Sequence, residues 1–160
     1  MTSRKPLRAL HGNMAKRAIE SCVQAMANGT VSPKQVKDVL RTEEDLSEFV
    51  GFLKHRDQAI RAYAAVIVSR WDPKCVVDAI LEEEERFVIG KMLHELGEVG
   101  YNGVEDLTQL LRGEDSMVAE QTFRTMVKVG RADLLFTLAV GGDDKTTERV
   151  RRYLNEQGWL

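Results

Sequence analysis

The chain has 160 residues, 43% hydrophobic and 30% charged, with a formal net charge of -2, which is enough apolar material for a contiguous core in one ordinary domain or a short repeat array. No run approaches the roughly 18 apolar residues of a membrane span and the N-terminus lacks the apolar core of a secretory signal, so cytoplasmic residence is the expectation. The charge is uneven: residues 1–41 hold eight Lys or Arg against Glu20 and Asp38, a balance of +6, which leaves -8 for the remainder. A basic head on an acidic array can steer an anionic partner to one end, or serve as a solubility feature whose two ends attract each other.

Residues 1–12, with Ser3, Pro6 and Gly12 among scattered Arg and Lys, read as a basic flexible tail. From Asn13, a plausible N-cap, the residues Ala15, Ala18, Ile19, Cys22, Val23 and Met26 recur at three and four residue steps along one helical face, and Asn28-Gly29 reads as its stop. Ser32-Pro33-Lys34-Gln35 opens a second helix: Ser32 can cap, Pro33 stands where a missing N–H costs nothing, and Gln35 can reach back. These helices, within residues 13–41, stand outside the repeat that follows and are expected to form a two-helix N-terminal cap. Cys22 and Cys75 form neither a metal cluster nor a disulfide framework, and reduced, mostly buried thiols are expected.

From residue 42 to 160 one pattern returns four times. Its anchors are Asp57, Glu85, Asp115 and Asp143, spaced 28, 30 and 28 apart, each followed three residues on by Ile60, Val88, Val118 and Thr146. Eight residues before the anchors stand Phe49, Val77, Leu107 and Leu135, and four before them Leu53, Leu81, Leu111 and Ala139. A register held at several columns with this period predicts a stack of helical hairpins, each acidic residue capping the second helix of its pair. The first pair starts at Thr42-Glu43-Glu44-Asp45, turns at Lys54-His55-Arg56, and ends at Trp71-Asp72-Pro73. In the second, Gly97, Gly100 and Gly103 surround the exit and supply φ freedom, and Gly130 matches Gly100 in the third. The fourth turns polar in its second helix, with Thr146, Arg151 and Gln157 in columns that are apolar elsewhere and Val150, Tyr153, Leu154 and Trp159 still apolar, as a last repeat with no following neighbour requires.

An acidic cap, a branched residue three positions on, then Arg and small residues, best seen in Asp57-x-x-Ile60-Arg61-x-x-Ala64-Ala65, resembles HEAT-like repeats, above all the short type of phycobilisome-lyase-like HEAT proteins. The resemblance covers about 115 residues. It implies an all-α fold, a short α-solenoid of about four hairpins, whose usual work is holding other proteins; a minority of the superfamily handles nucleic acid, including HEAT-like DNA glycosylases. Ile89 and Ala119 stand where the pattern has Arg, which argues against a continuous arginine ladder.

No chemistry is legible in the residues. His11, His55 and His94 lack ligand spacing, the glycines follow no strand, and no Ser/His/Asp or Cys/His arrangement is readable, so catalytic, cofactor and metal residues are none. Glu82-Glu83-Glu84-Glu85 reads as a solvated turn with Glu84 and Glu85 in the first turn of a helix, and a contact for a basic partner as the lesser reading. Arg149, Arg151 and Arg152, with Lys128 and Arg131, make a basic patch that Glu148 and Glu156 dilute. The leading expectation is a non-catalytic scaffold module that holds a protein partner on its second helices through Arg61, Lys91, Glu95, Glu120 and Arg124. The alternative is nucleic-acid binding through Arg4, Lys5, Arg8, Lys16 and Arg17. A third, a lyase or DNA glycosylase, rests on fold analogy.

Overall fold

The computed structural model describes residues 13–39, 43–141 and 144–160, with side chains at 19–36, 47–141 and 145–160. The described residues form ten α-helices and no strand, which matches the expected all-α class. The expected tail at 1–12 and the caps at Thr42 and Asp143 lie outside the described residues, and Asn13, the first residue of α1, lies outside the described side chains. Two compact units, Met1–Ala79 and Ile80–Leu160, divide the chain, and the boundary falls inside a helix.

The first unit contains α1 (Asn13–Ala27), α2 (Pro33–Val39), α3 (Glu43–Phe52), α4 (Gln58–Val68) and most of α5 (Pro73–Glu82). The start of α2 is a capping box, because Ser32 N donates to Gln35 Oε1 at 2.8 Å and Gln35 N donates to Ser32 Oγ at 3.2 Å. Helix α4 is buried on nearly every side: Ile60, Ala62, Ala64, Ala65, Val66, Ile67 and Val68 are all enclosed. A helix apolar all round must be a core helix, and α1, α2 and α3 each pack on α4. The alanines bring those neighbours close. The two thiols are only half-buried, which corrects the expectation of mostly buried ones. Cys75 Sγ lies 3.1 Å from Asp72 Oδ2, and burial together with that carboxylate pushes the thiol up to about 11.

The second unit carries α6 (Arg86–Val99), α7 (Thr108–Leu111), α8 (Ser116–Lys128), α9 (Ala132–Gly141) and α10 (Asp144–Glu156). Helix α8 packs on α6, α7 and α9, while α10 packs on α9, α7 and α8. Helix α7 is a short piece led in by a 3₁₀ turn at Glu105–Leu107, whereas the repeat pattern expects a full first helix there. The repeat columns point inward nonetheless: Ile60, Val88, Val118 and Thr146 are buried, as are Phe49, Val77, Leu107 and Leu135. In the third column Leu53, Leu111 and Ala139 are buried and Leu81 is half-exposed.

Helices α6 and α8 end alike. Gly100 at φ 67° and Gly130 at φ 80° adopt the left-handed conformation that glycine tolerates. Tyr101 N then donates to Leu96 O and Arg131 N to Met126 O, closing the last turns. Gly97 does something else. It lies inside α6, so its role is room, and the expectation that it loosens the exit is corrected.

The caps divide. Asp57 accepts from Ala59 N at 2.8 Å, and Asp115 accepts from Met117 N at 3.0 Å and Val118 N at 3.2 Å. Glu85 holds the N-cap position of α6 but makes no side-chain cap bond. Its place is taken by Glu83, whose Oε1 accepts from Glu84 N at 3.2 Å and Glu85 N at 3.1 Å. Glu84 and Glu85 precede α6, which corrects their expected place in its first turn.

Candidate functional site

The seam between α6 and α8 is built by what α6 lacks. Gly90 and Gly97, seven residues apart, fall on one face with Leu93 between them. Side chains of α8 reach across to the backbone of that face: Gln121 Nε2 donates to Gly90 O at 2.9 Å, and Thr125 Oγ1 donates to Leu93 O at 3.2 Å. The stem of Lys128 covers Gly97, where an added Cβ would stand 3.1 Å from Lys128 Cδ; at Gly90 it would stand 3.0 Å from Gln121 Oε1. The partners are separated by 31, 32 and 31 residues. A constant offset means that the two helices run parallel, one repeat apart.

Above this seam the missing side chains leave an open groove of about 460 Å³. His94 stands on the α6 side, and Met117, Glu120 and Arg124 on the α8 side. Its charges are paired locally, Arg124 Nη2 to Glu120 Oε1 at 2.7 Å and Lys128 to Glu98, which also has His94 at 3.8 Å. At the N-terminal mouth Arg86 Nε meets Asp115 Oδ2 at 2.7 Å, and its Nη1 lies 3.3 Å from Met117 Sδ. The Arg86 hydrogen bond, helped by the cap amides, holds the Asp115 carboxyl below its usual range. Met117 is 61% exposed there, and Phe87, which follows Arg86 in α6, is 57% exposed.

Two of the five expected partner-binding residues line the groove. Arg61, in the first unit, donates from Nη1 to His55 O at 2.8 Å and Arg56 O at 3.2 Å, tying down the turn before its own helix. Glu95 is only 5% exposed and lies 3.5 Å from Lys91, so its expected role as a surface contact is corrected: it faces inward, and Lys91 accompanies it. Glu120 and Arg124 do line the groove. Sequence reasoning passed over Met117, Gln121 and Phe87, and assigned Lys128 to a C-terminal basic patch where the structure sets it over Gly97. The signal available was an apolar residue outside the repeat columns just behind a helix start, twice, at 87 and 117.

For the nucleic-acid alternative, Arg4, Lys5 and Arg8 lie outside the described residues, and Lys16 and Arg17 lie on α1 outside the described side chains. The basic patch expected near the C-terminus is largely engaged with backbone. Arg149 Nη1 donates to Leu111 O at 2.6 Å and Gly113 O at 2.8 Å, and Arg151 Nε to Ala139 O at 2.7 Å. Arg131 donates to Asn102 O at 2.8 Å and bridges Glu105 and Asp133, holding both carboxyls below their usual range. Arg152 lies 5.3 Å from the Tyr153 ring centroid.

His55 is likewise absorbed, while His94 stands on the groove wall. His55 Nδ1 accepts from Asp57 N at 2.9 Å, and the ring meets Phe52 edge-on at 5.8 Å. Among the described residues no three His, Cys, Asp or Glu side chains are grouped to hold a metal ion, and no helix is long and apolar enough to cross a membrane. A separate apolar area lies on α9 and the C-terminus, where Phe136 stacks on Trp159 at 6.4 Å beside exposed Val140 and Leu160. Comparison with protein-family models, curated proteins and solved structures returned no match.

Proposed function

We propose that the chain is a non-catalytic protein-binding module, a short HEAT-like stack that receives a protein partner along its second helices. The observation that carries this is the α6–α8 groove, open to solvent, floored by a glycine face and lined by exposed Met117, with exposed Phe87 next in α6 to the Arg86 that contacts Met117. The parallel, one-repeat offset between α6 and α8 supports the stacked reading, because hairpins added in sequence bring equivalent helices side by side. Stacking of that kind leaves the second helices as a ridged surface, and rigid helices hold contact residues better than loops do. Exposed aromatic and methionine side chains next to a concave surface are the usual anchors of such contacts.

The test is site-specific photo-crosslinking in the native host. A photoreactive residue at His94, inside the groove, should capture a discrete protein, and the same residue at exposed Gln109 on α7 should not. Absence of adducts at both sites, or the same adducts at both, overturns the proposal.

A further inference from the structure

The mouth of the groove also specifies what kind of chain it takes, and this inference rests on the binding-module reading above. Phe87 and Met117 stand on neighbouring parallel helices, tied at this end by Arg86, which contacts both Asp115 and Met117. Together they offer apolar surface that water covers poorly. Around them stand eight carboxylates, Glu82 to Glu85, Glu114, Asp115, Glu120 and Glu148, against six cations, Arg86, Arg112, Arg124, Lys145, Arg149 and Arg152, a balance of -2.

Each of the six cations is already held, Arg149 by Leu111 O and Gly113 O and Arg152 by Glu156 at 4.0 Å among them. Arg86 meets Asp115, Arg124 meets Glu120, and Lys145 meets Glu114 at 3.3 Å. Glu84 and Glu85 are exposed and make no ion pair among the described residues. The N-termini of α6 and α8 add about half a positive charge each, which leaves the acidic excess in place. An acidic rim around an apolar pair repels acidic chains and draws in basic ones, adding specificity and association rate to the affinity of the apolar contact.

We infer that the Phe87–Met117 mouth docks a Lys/Arg-rich segment of a protein partner, one that inserts an apolar side chain between Phe87 and Met117 while its cations face Glu84 and Glu85. The opposite charge pattern does not fit. An acidic segment would meet the unpaired carboxylates, and an uncharged one would gain nothing from them.

The experiment uses the full chain and two fluorescein-labelled peptides, one built from Lys, Arg and Leu and an acidic twin with Glu at every Lys and Arg, read by fluorescence anisotropy. The basic peptide should bind at about 50 mM salt and weaken about tenfold by about 250 mM, as screening shortens the range of the rim. The acidic twin should not bind. Phe87→Ser and Met117→Ser should each weaken binding about tenfold, and the double charge reversal Glu84→Lys, Glu85→Lys should weaken it while removing most of the salt dependence. All four positions are exposed, and far-UV circular dichroism should show each variant folded. Equal binding of the acidic twin, or unchanged binding in both Ser variants, overturns the inference. Capture of a protein at His94 together with failure of the basic peptide would sink this inference and leave the module reading intact; failure of both would sink both.

Discussion

At the start of α8 a single carboxylate closes the turn, Asp115 accepting from two backbone amides and from Arg86, whereas at the start of α6 the residue in the same repeat position, Glu85, accepts nothing and Glu83 does the closing from two residues upstream. The difference is one methylene. An Asp side chain at the N-cap is the right length to reach the amides two and three residues on, and a Glu carboxylate overshoots them. The α6 turn keeps its closure because the four-glutamate run offers another carboxylate nearby, and that freedom leaves Glu84 and Glu85 turned to solvent. A repeated column of acids therefore contains two kinds of turn, one self-contained and one that leaves charge exposed.

Four substitutions press on this contrast, each read by urea unfolding followed at 222 nm. Asp115→Ala should cost most, about 2 kcal/mol, since it removes both cap bonds and the Arg86 contact together. Its pH behaviour gives a second reading. The Arg86 contact holds the folded Asp115 carboxyl below its ordinary range, so its contribution is complete above that range and is lost as pH falls through the folded titration; wild type and Asp115→Ala should converge in that acid range. Glu83→Ala should cost about 1 kcal/mol, because it unties the amides of Glu84 and Glu85. Glu85→Ala should change stability by less than about 0.5 kcal/mol, since the side chain caps nothing. Glu85→Asp, the smallest change, should stabilise by a few tenths of a kcal/mol if the shorter carboxylate takes up the cap. A loss from Glu85→Ala as large as that from Asp115→Ala would erase the distinction between the two turns.

The same contrast governs arginine. Arg61, Arg131 and Arg149 each reach from one segment to the carbonyls of a nearby turn, so charges that looked available for a partner serve the fold. Arg124 does not, and it stays in the groove wall beside Glu120. Long cations at helix ends find free carbonyls before they find ligands, because each unpaired carbonyl is an acceptor held at a fixed, short distance.

The residues by themselves determined the helical class, the turn positions and most of the interior. Columns such as Phe49, Val77, Leu107 and Leu135 are readable because burial repeats with the helix period and the repeat length at once. Local signals were equally direct: the Ser32–Gln35 box and the Asp57 and Asp115 caps involve neighbours a few residues apart. Tertiary structure alone decided what lies between helices. That Gly97 makes room for Lys128, that Glu95 turns inward, and that Met117 stands exposed beside a groove depend on pairs about thirty residues apart and on a rotation of one helix against another. Hydrophobic periodicity fixes which side of a helix is buried only to within a broad arc, and the residues at the edge of that arc, here Met117, Glu120 and Arg124, are the ones that a neighbouring helix turns into a surface or hides.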